Sequence, residues 1–232
     1  MRTSRRAATA AVSVSLALAG VTAAHADSST VLYVNRSSTS CIDSGTGTQA
    51  VPYCTIQAAA NAAVAGETVD IEPGIYTSAV DVKSQGTAAA PILFQAVDGW
   101  VNLKAALSFD GASYVTFEGG ENRAGNQEMR LQSATVNTSS HIFIDRSELG
   151  TVEIAGTSTD STVSRDWVRG SAKVDAGSSG DVISTNLFTT MLSAISVTDA
   201  ADIAITSNTI EGDSGPVDAI GVSGASTAVT VE

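Results

Sequence analysis

Few residues in this sequence are equipped for chemistry, and the most suggestive of them fall at related positions. Lys173 stands beside Val174 as Glu153 stands beside Ile154, and Asp175 follows Lys173 two places on. If the segments stack, Lys173 points outward directly above Glu153. An amine next to carboxylates offers a base, and Glu153 and Asp175 offer oxygen ligands for calcium. The competing reading is a solvated Glu–Lys pair on neighbouring strands, which contributes little. Arg146 and Arg165 form a second set, each two residues past an apolar position, Ile144 and Val163. Stacked guanidiniums suit recognition of a carboxylate. Asp145, Asp166 and Glu148 are near enough in sequence to neutralise them structurally instead. Trp100 and Trp167 offer flat faces for a ring to stack on, with a packing role as the alternative.

Other chemistries find less support. His141 is the only histidine after His25, so a Ser-His-Asp triad would have to use it. It lies in TSSHIFID without a Gly-x-Ser-x-Gly elbow, and reads as a turn residue. Asp213 and Asp218 in EGDSGPVDAIG give paired carboxylates without an adjacent Asp-Asp, in what reads as a long turn. No Cys/His spacing suits structural zinc, and no EF-hand or nonapeptide calcium repeat occurs.

The elements that must position these residues begin after residue 26. MRTSRRAATAAVSVSLALAGVTAAHA has an arginine-rich start, a short apolar core and an Ala-His-Ala end, the pattern of a secretory signal cut before Asp27. Its removal takes three of 12 basic residues and none of 24 acidic ones, leaving 9 − 24 = −15. That balance argues against nucleic acid and anionic membranes as partners, since both need clustered Lys and Arg. It also argues against unaided binding of an acidic polymer. In an exported chain Cys41 and Cys54 are expected to close one disulfide around IDSGTGTQAVPY, a stabilisation of roughly 3 kcal/mol in the chain-entropy picture. Residues 27–65 are read as an N-terminal cap holding that loop and a helix, and 66–232 as the body.

The helix rests on Ile56, Ala59, Ala60, Ala63 and Val64, a single apolar stripe, with Thr55 as N-cap and Gly66 as stop. From Val69 the period changes to alternation, and strands recur to the end of the sequence. They repeat in two columns. One runs Phe109, Val136, Ile154, Val174, Val197, Val222; the other runs Phe117, Ile144, Val163, Ile183, Ile205, Val231. The offset between columns stays at 8 or 9 residues while the steps down the first are 27, 18, 20, 23 and 25. Two strands at fixed offset with variable connections describe one turn of a parallel solenoid. Three residues after the second column stand Gly120, Ser147, Asp166, Asn186 and Asn208, a place for a polar ladder at a tight turn.

The segment Cys54 to Ala96, with TIQAAANAAVAGETVDIEPGIY and SQGTAAAPILFQA, resembles the N-terminal portion of secreted right-handed parallel β-helix proteins of the pectate-lyase-like superfamily, in the style of bacterial polysaccharide lyases acting on alginate or chondroitin-type polymers. The resemblance implies an all-β, single-stranded parallel β-helix with a short N-terminal capping helix. No cap is evident at the C-terminal end. It further implies an extracellular, carbohydrate-directed protein whose partner is a polysaccharide or a cell-surface glycan. If catalytic, it would be a lyase that abstracts the proton next to a uronic acid carboxylate, with calcium, arginine or lysine neutralising that carboxylate. On that expectation Lys173, Arg165 and Arg146 are the catalytic candidates, Glu153 and Asp175 the calcium candidates, and Trp167 a sugar-stacking candidate. The family's complete catalytic motif is absent from the sequence. A non-catalytic glycan- or surface-binding β-helix, and a fragment of a longer lyase or adhesin, stand beside the enzyme reading.

Overall fold

The computed structural model describes residues 30–120, 128–190, 193–212 and 218–232. The signal segment 1–26 and Asp213 therefore lie outside the described residues. Short alternating segments dominate: Thr68–Ile71, Val80–Val82 and Ala172–Val174 each send every second side chain inward. Such segments cannot bury an apolar face alone, and they do so by stacking in register with their repeats.

Among the described residues two parallel sheets result, one of nine strands and one of eleven, and together they form a solenoid of about seven turns. Phe109 pairs with Val136, Val136 with Ile154, Ile154 with Val174, Val174 with Val197 and Val197 with Val222. In the other sheet Phe117, Ile144, Val163, Ile183, Ile205 and Val231 pair in the same unbroken sequence. Both expected columns are thus the inward files of the coil. The core between them is aliphatic apart from a few rings: Phe94 stacks on Phe117 at 4.6 Å and Phe109 meets Phe117 edge-on at 5.5 Å.

The corners explain the polar column. Arg146, Arg165, Thr185 and Ser207 have φ of 51°, 58°, 59° and 56°, and each follows a strand of the nine-stranded sheet. A single left-handed residue bends the chain sharply there, at a conformational cost for a side chain other than glycine. The next residue closes the corner with its side chain. Asp166 Oδ1 accepts from the Ser147 amide at 2.7 Å, Asn186 Oδ1 from the Asp166 amide at 2.8 Å, and Asn208 Oδ1 from the Asn186 amide at 2.9 Å.

The helix is Ile56–Ala62, capped by Thr55, whose Oγ1 accepts from the Ala58 amide at 3.2 Å. It ends earlier than the stripe suggests: Ala63 is already extended, and Val64 is 60% exposed rather than packed. Gly66 serves the turn beyond it, at φ 87°. Ile56, Ala59 and Ala60 are buried on the first turns of the coil, covering edges that would otherwise be open to pairing. Cys41 and Cys54 form the expected disulfide, with their Cα atoms 5.0 Å apart.

Two features differ from the sequence reading. The nine-stranded sheet begins at Val31–Val34, which pairs with Thr68–Ile71, so the coil already includes part of the segment read as cap. Several turns also carry a third strand: Trp167–Val168 precedes Ala172–Val174, and Leu187–Thr189 precedes Ile195–Thr198. Trp167 is therefore on a strand.

Candidate functional site

That additional strand builds a third file, whose later members reach solvent while Asn102 at its start is buried. Asn102, Arg130, Glu148, Trp167, Leu187 and Thr209 pair in succession across the eleven-stranded sheet. Beside them the pairing slips: Leu103 lies opposite Leu131 but Ala106 lies opposite Ser133, so Lys104 falls in a bulge. A bulge re-aims the side chains around it. Here it accompanies a cleft of about 300 Å³ lined by Asn102, Lys104, Arg130, Leu131, Gln132, Gly150 and Arg169.

Glycine keeps the cleft open. A Cβ on Gly150 would stand 2.1 Å from the Gln132 carbonyl oxygen, and one on Gly170 would stand 2.4 Å from that of Gly150. The backbones of three successive turns therefore approach more closely than any side chain allows, which hollows the sheet face between its flanking cations.

The charges are the notable part. After residue 26 only 12 − 3 = 9 lysines and arginines remain in a chain with 24 acidic residues. Three of them, Lys104, Arg130 and Arg169, converge on this one cleft. Glu148 sits among them: its Oε1 lies 3.1 Å from Arg130 Nη2 and accepts from Arg169 Nη1 at 2.8 Å. Arg169 also lies over the Trp167 ring at 5.7 Å, and Trp167 Nε1 donates to Thr189 Oγ1 at 2.8 Å. The indole is thus fixed beside Arg169 with 38% of the residue exposed. Among the described residues Lys104 has no carboxylate partner. The arrangement can hold an anion between guanidiniums, place an ammonium near it, and offer an aromatic face alongside.

No protein-family model and no curated protein matches the sequence. Among solved structures, pectate lyase Pel9A matches with a TM-score of 0.54 at 16% identity, over 84% of this chain and 61% of that one. This fold is a pectate-lyase-like parallel β-helix. An alginate lyase from Paenibacillus sp. overlaps with a TM-score of 0.45 at 10% identity, over 75% of this chain and 92% of that one. A lacto-N-biosidase from Eubacterium ramulus overlaps with a TM-score of 0.34 at 8% identity, over 87% of this chain and 68% of that one. The chain spans less than two thirds of the Pel9A chain.

On this β-helix the residues singled out from sequence fall in three places. Lys173 pairs with Glu153 across adjacent strands as expected; its Nζ lies 3.4 Å from Glu153 Oε1 and 2.5 Å from Asp175 Oδ2. The hydrogen bond to Asp175 leads in raising the Lys173 ammonium above the usual lysine range; desolvation opposes it, and the Asp175 charge and the Glu153 hydrogen bond and charge add to the rise. That direction holds the proton on, whereas a base must release it. Glu153 and Asp175 both face this ammonium. Among the described residues no group of three or more acidic, histidine or cysteine side chains converges. Calcium takes six to eight oxygen ligands, and the donor set here does not fit it.

Arg146 and Arg165 lie at a corner, away from the cleft, and both reach Asp145. Arg165 grips it bidentately at 2.8 and 2.5 Å, while Arg146 reaches it at 3.3 Å and also pairs with Glu118. Their charges are met by the protein's own carboxylates. His141 stacks on Tyr114 at 4.1 Å near another left-handed corner, and Asp218 is exposed. None of the expected site residues lines the cleft; Trp167 comes nearest, through its contact with Arg169. Lys104, Arg130 and Arg169 were missed because 26 and 39 residues separate them in order along the chain. A signal did exist: the steps Asn102 to Arg130 to Glu148 to Trp167 are 28, 18 and 19, beside 27, 18 and 20 in the first apolar column.

Proposed function

We propose that this is an exported, carbohydrate-directed β-helix protein whose cleft takes an acidic polysaccharide of the uronic-acid type. The observation carrying this reading is the convergence of Lys104, Arg130 and Arg169, with Trp167 alongside, in an otherwise strongly acidic molecule. A single cation on such a chain is unremarkable. Three around one concavity, next to an exposed indole, match a ligand that repeats a carboxylate and a sugar ring. The leader-like first 26 residues and the Cys41–Cys54 disulfide support an extracellular setting.

The finer proposal is β-elimination. Arg130 and Arg169 would neutralise a uronate carboxylate, which acidifies the neighbouring carbon. Lys104, as the free amine, would take that proton; the electron pair left on carbon forms the double bond as the glycosidic oxygen departs and takes a proton from the resulting ammonium or from water. The step asks nothing of calcium. The second reading, a non-catalytic glycan binder, is favoured by Glu148, which already bridges both guanidiniums.

One experiment addresses both. The protein is incubated with alginate, pectate and chondroitin, with and without calcium, while unsaturated-sugar absorbance and retention on immobilised polymer are followed. Retention that falls about tenfold or more in an Arg130→Ala/Arg169→Ala variant supports the cleft, two charge-assisted contacts being worth that much. Rising absorbance assigns the lyase; retention without absorbance assigns the binder. No retention and no absorbance on any of the polymers rejects the carbohydrate reading.

A further inference from the structure

We infer that Glu148 is a resident substitute for the ligand's carboxylate, and that it makes the cleft select contiguous runs of acid sugars over short or isolated ones. The inference rests on the acidic-polysaccharide reading of the cleft. Its geometry is specific. A single oxygen, Oε1, lies against Arg130 on one side and Arg169 on the other, at 3.1 and 2.8 Å, where a carboxylate shared by the two guanidiniums has to sit. The Glu148 side chain is only 16% exposed, while those of Arg130 and Arg169 are 39% and 48% exposed. The two cations therefore present their outer faces to solvent while their inner donors are already engaged.

A carboxylate attached to the same sheet competes at an effective concentration on the order of millimolar or higher. One uronate arriving alone must displace it with no second contact to help. A polymer brings further carboxylates to Lys104 and to the outer donors, and rebinds before it leaves. Glu148 thus penalises a short ligand more than a long one. With it in place the three cations carry a local +3 − 1 = +2; without it the full three are available to any anion.

The test is calorimetric titration of the full chain with trigalacturonate and with long, fully de-esterified polygalacturonate. Glu148→Gln keeps the shape and removes the charge; Glu148→Ala removes both and guards against a glutamine that simply replaces the contact. Thermal melts establish that each variant is folded. In both variants the dissociation constant for the trimer should fall about fivefold or more, while that for the polymer falls about twofold or less. Equal shifts for the two ligands, no shift, or weaker trimer binding overturn the inference, and leave the polysaccharide reading intact if the unaltered protein binds polymer. Failure of all three proteins to bind either ligand overturns both. Binding of trimer by the variants alone supports the substitution role in its strongest form.

Discussion

Asp166 stands in a ladder whose following members are asparagines. Asn186 and Asn208 each accept from an amide through Oδ1 and donate through Nδ2, to the Val163 and Ile183 carbonyls at 3.0 and 2.8 Å. Asp166 makes the first contact, but its buried Oδ2 has no partner, and the carbonyl at the equivalent place is that of Ile144, which pairs with Val163. An ionised carboxylate there would face a carbonyl oxygen; a protonated one can donate as the asparagines do. Burial pushes the Asp166 carboxyl well above the usual range, with Asp145 adding to it and the Ser147 amide opposing. Asp181, whose Oδ2 is likewise buried and unpartnered, is pushed up to about 7, mainly by burial. Both folded values exceed the unfolded one, so the native state binds more protons and stability falls as pH rises. For Asp181 the loss runs from about pH 4 in the unfolded chain to about 7 in the folded one. Asp166→Asn should therefore stabilise the protein at pH 8, by about 1–2 kcal/mol, and flatten part of this slope. Denaturant melts at pH 5 and pH 8 measure it; a variant less stable than the parent at pH 8 refutes the protonated-ladder account. The ladder position itself was legible in the sequence as a run of small polar residues three places after an apolar one. Which member would carry a displaced proton was not, because that depends on burial and on the carbonyl opposite.

At the scale of elements, what decides the cleft is where strands continue and where they break. Val101–Asp110, Met129–Asn137 and Ser147–Ala155 run as long strands, while the following turns split the same path into Trp167–Val168 and Ala172–Val174, then Leu187–Thr189 and Ile195–Thr198. Along the second half of that path the sequence showed the inward residues and, of the outward ones, Glu153 and Lys173, since apolar columns are easy to see and outward ones are chemically mixed. Asn102, Arg130, Glu148 and Trp167 share no residue type, so nothing but register groups them. Gly150 belongs to the same hidden set. Its backbone is pressed against the preceding turn, and an added methyl would meet the Gln132 carbonyl, which cannot move aside as a flexible side chain would. Gly150→Ala should destabilise by about 1–3 kcal/mol, the usual cost of forcing an extra group into a closed space. It should also weaken polymer retention more than this loss of stability explains, because Arg130 and Arg169 are carried by the backbones forced apart. A Gly150→Ala protein with unchanged melting temperature and retention contradicts the close-approach account.

For the molecule as a whole, the governing fact is that each turn touches mainly the turns before and after it. Stability in such a coil is close to a sum over neighbouring turns, so the cost of one substitution depends on how many neighbours its side chain has. The first apolar column offers a controlled comparison, because it places valine at several depths. Val136, Val174 and Val197 are at most 1% exposed, each packed between a turn below and a turn above. Val222 points into the same file but is 49% exposed, with Val197 on one side. Trimming to alanine removes the same atoms everywhere. At Val174 the loss includes two desolvated methyl-sized groups and the void they leave, about 2–3 kcal/mol. At Val222, half in water already, it should be below about 1 kcal/mol. Denaturant melts of Val174→Ala and Val222→Ala in the 232-residue chain separate this picture from one in which the chain packs around a single undivided core. There the two residues would differ little, since both belong to one column; a cost at Val222 equal to that at Val174 would mean that the end of the file is covered by something the stacking of turns does not supply.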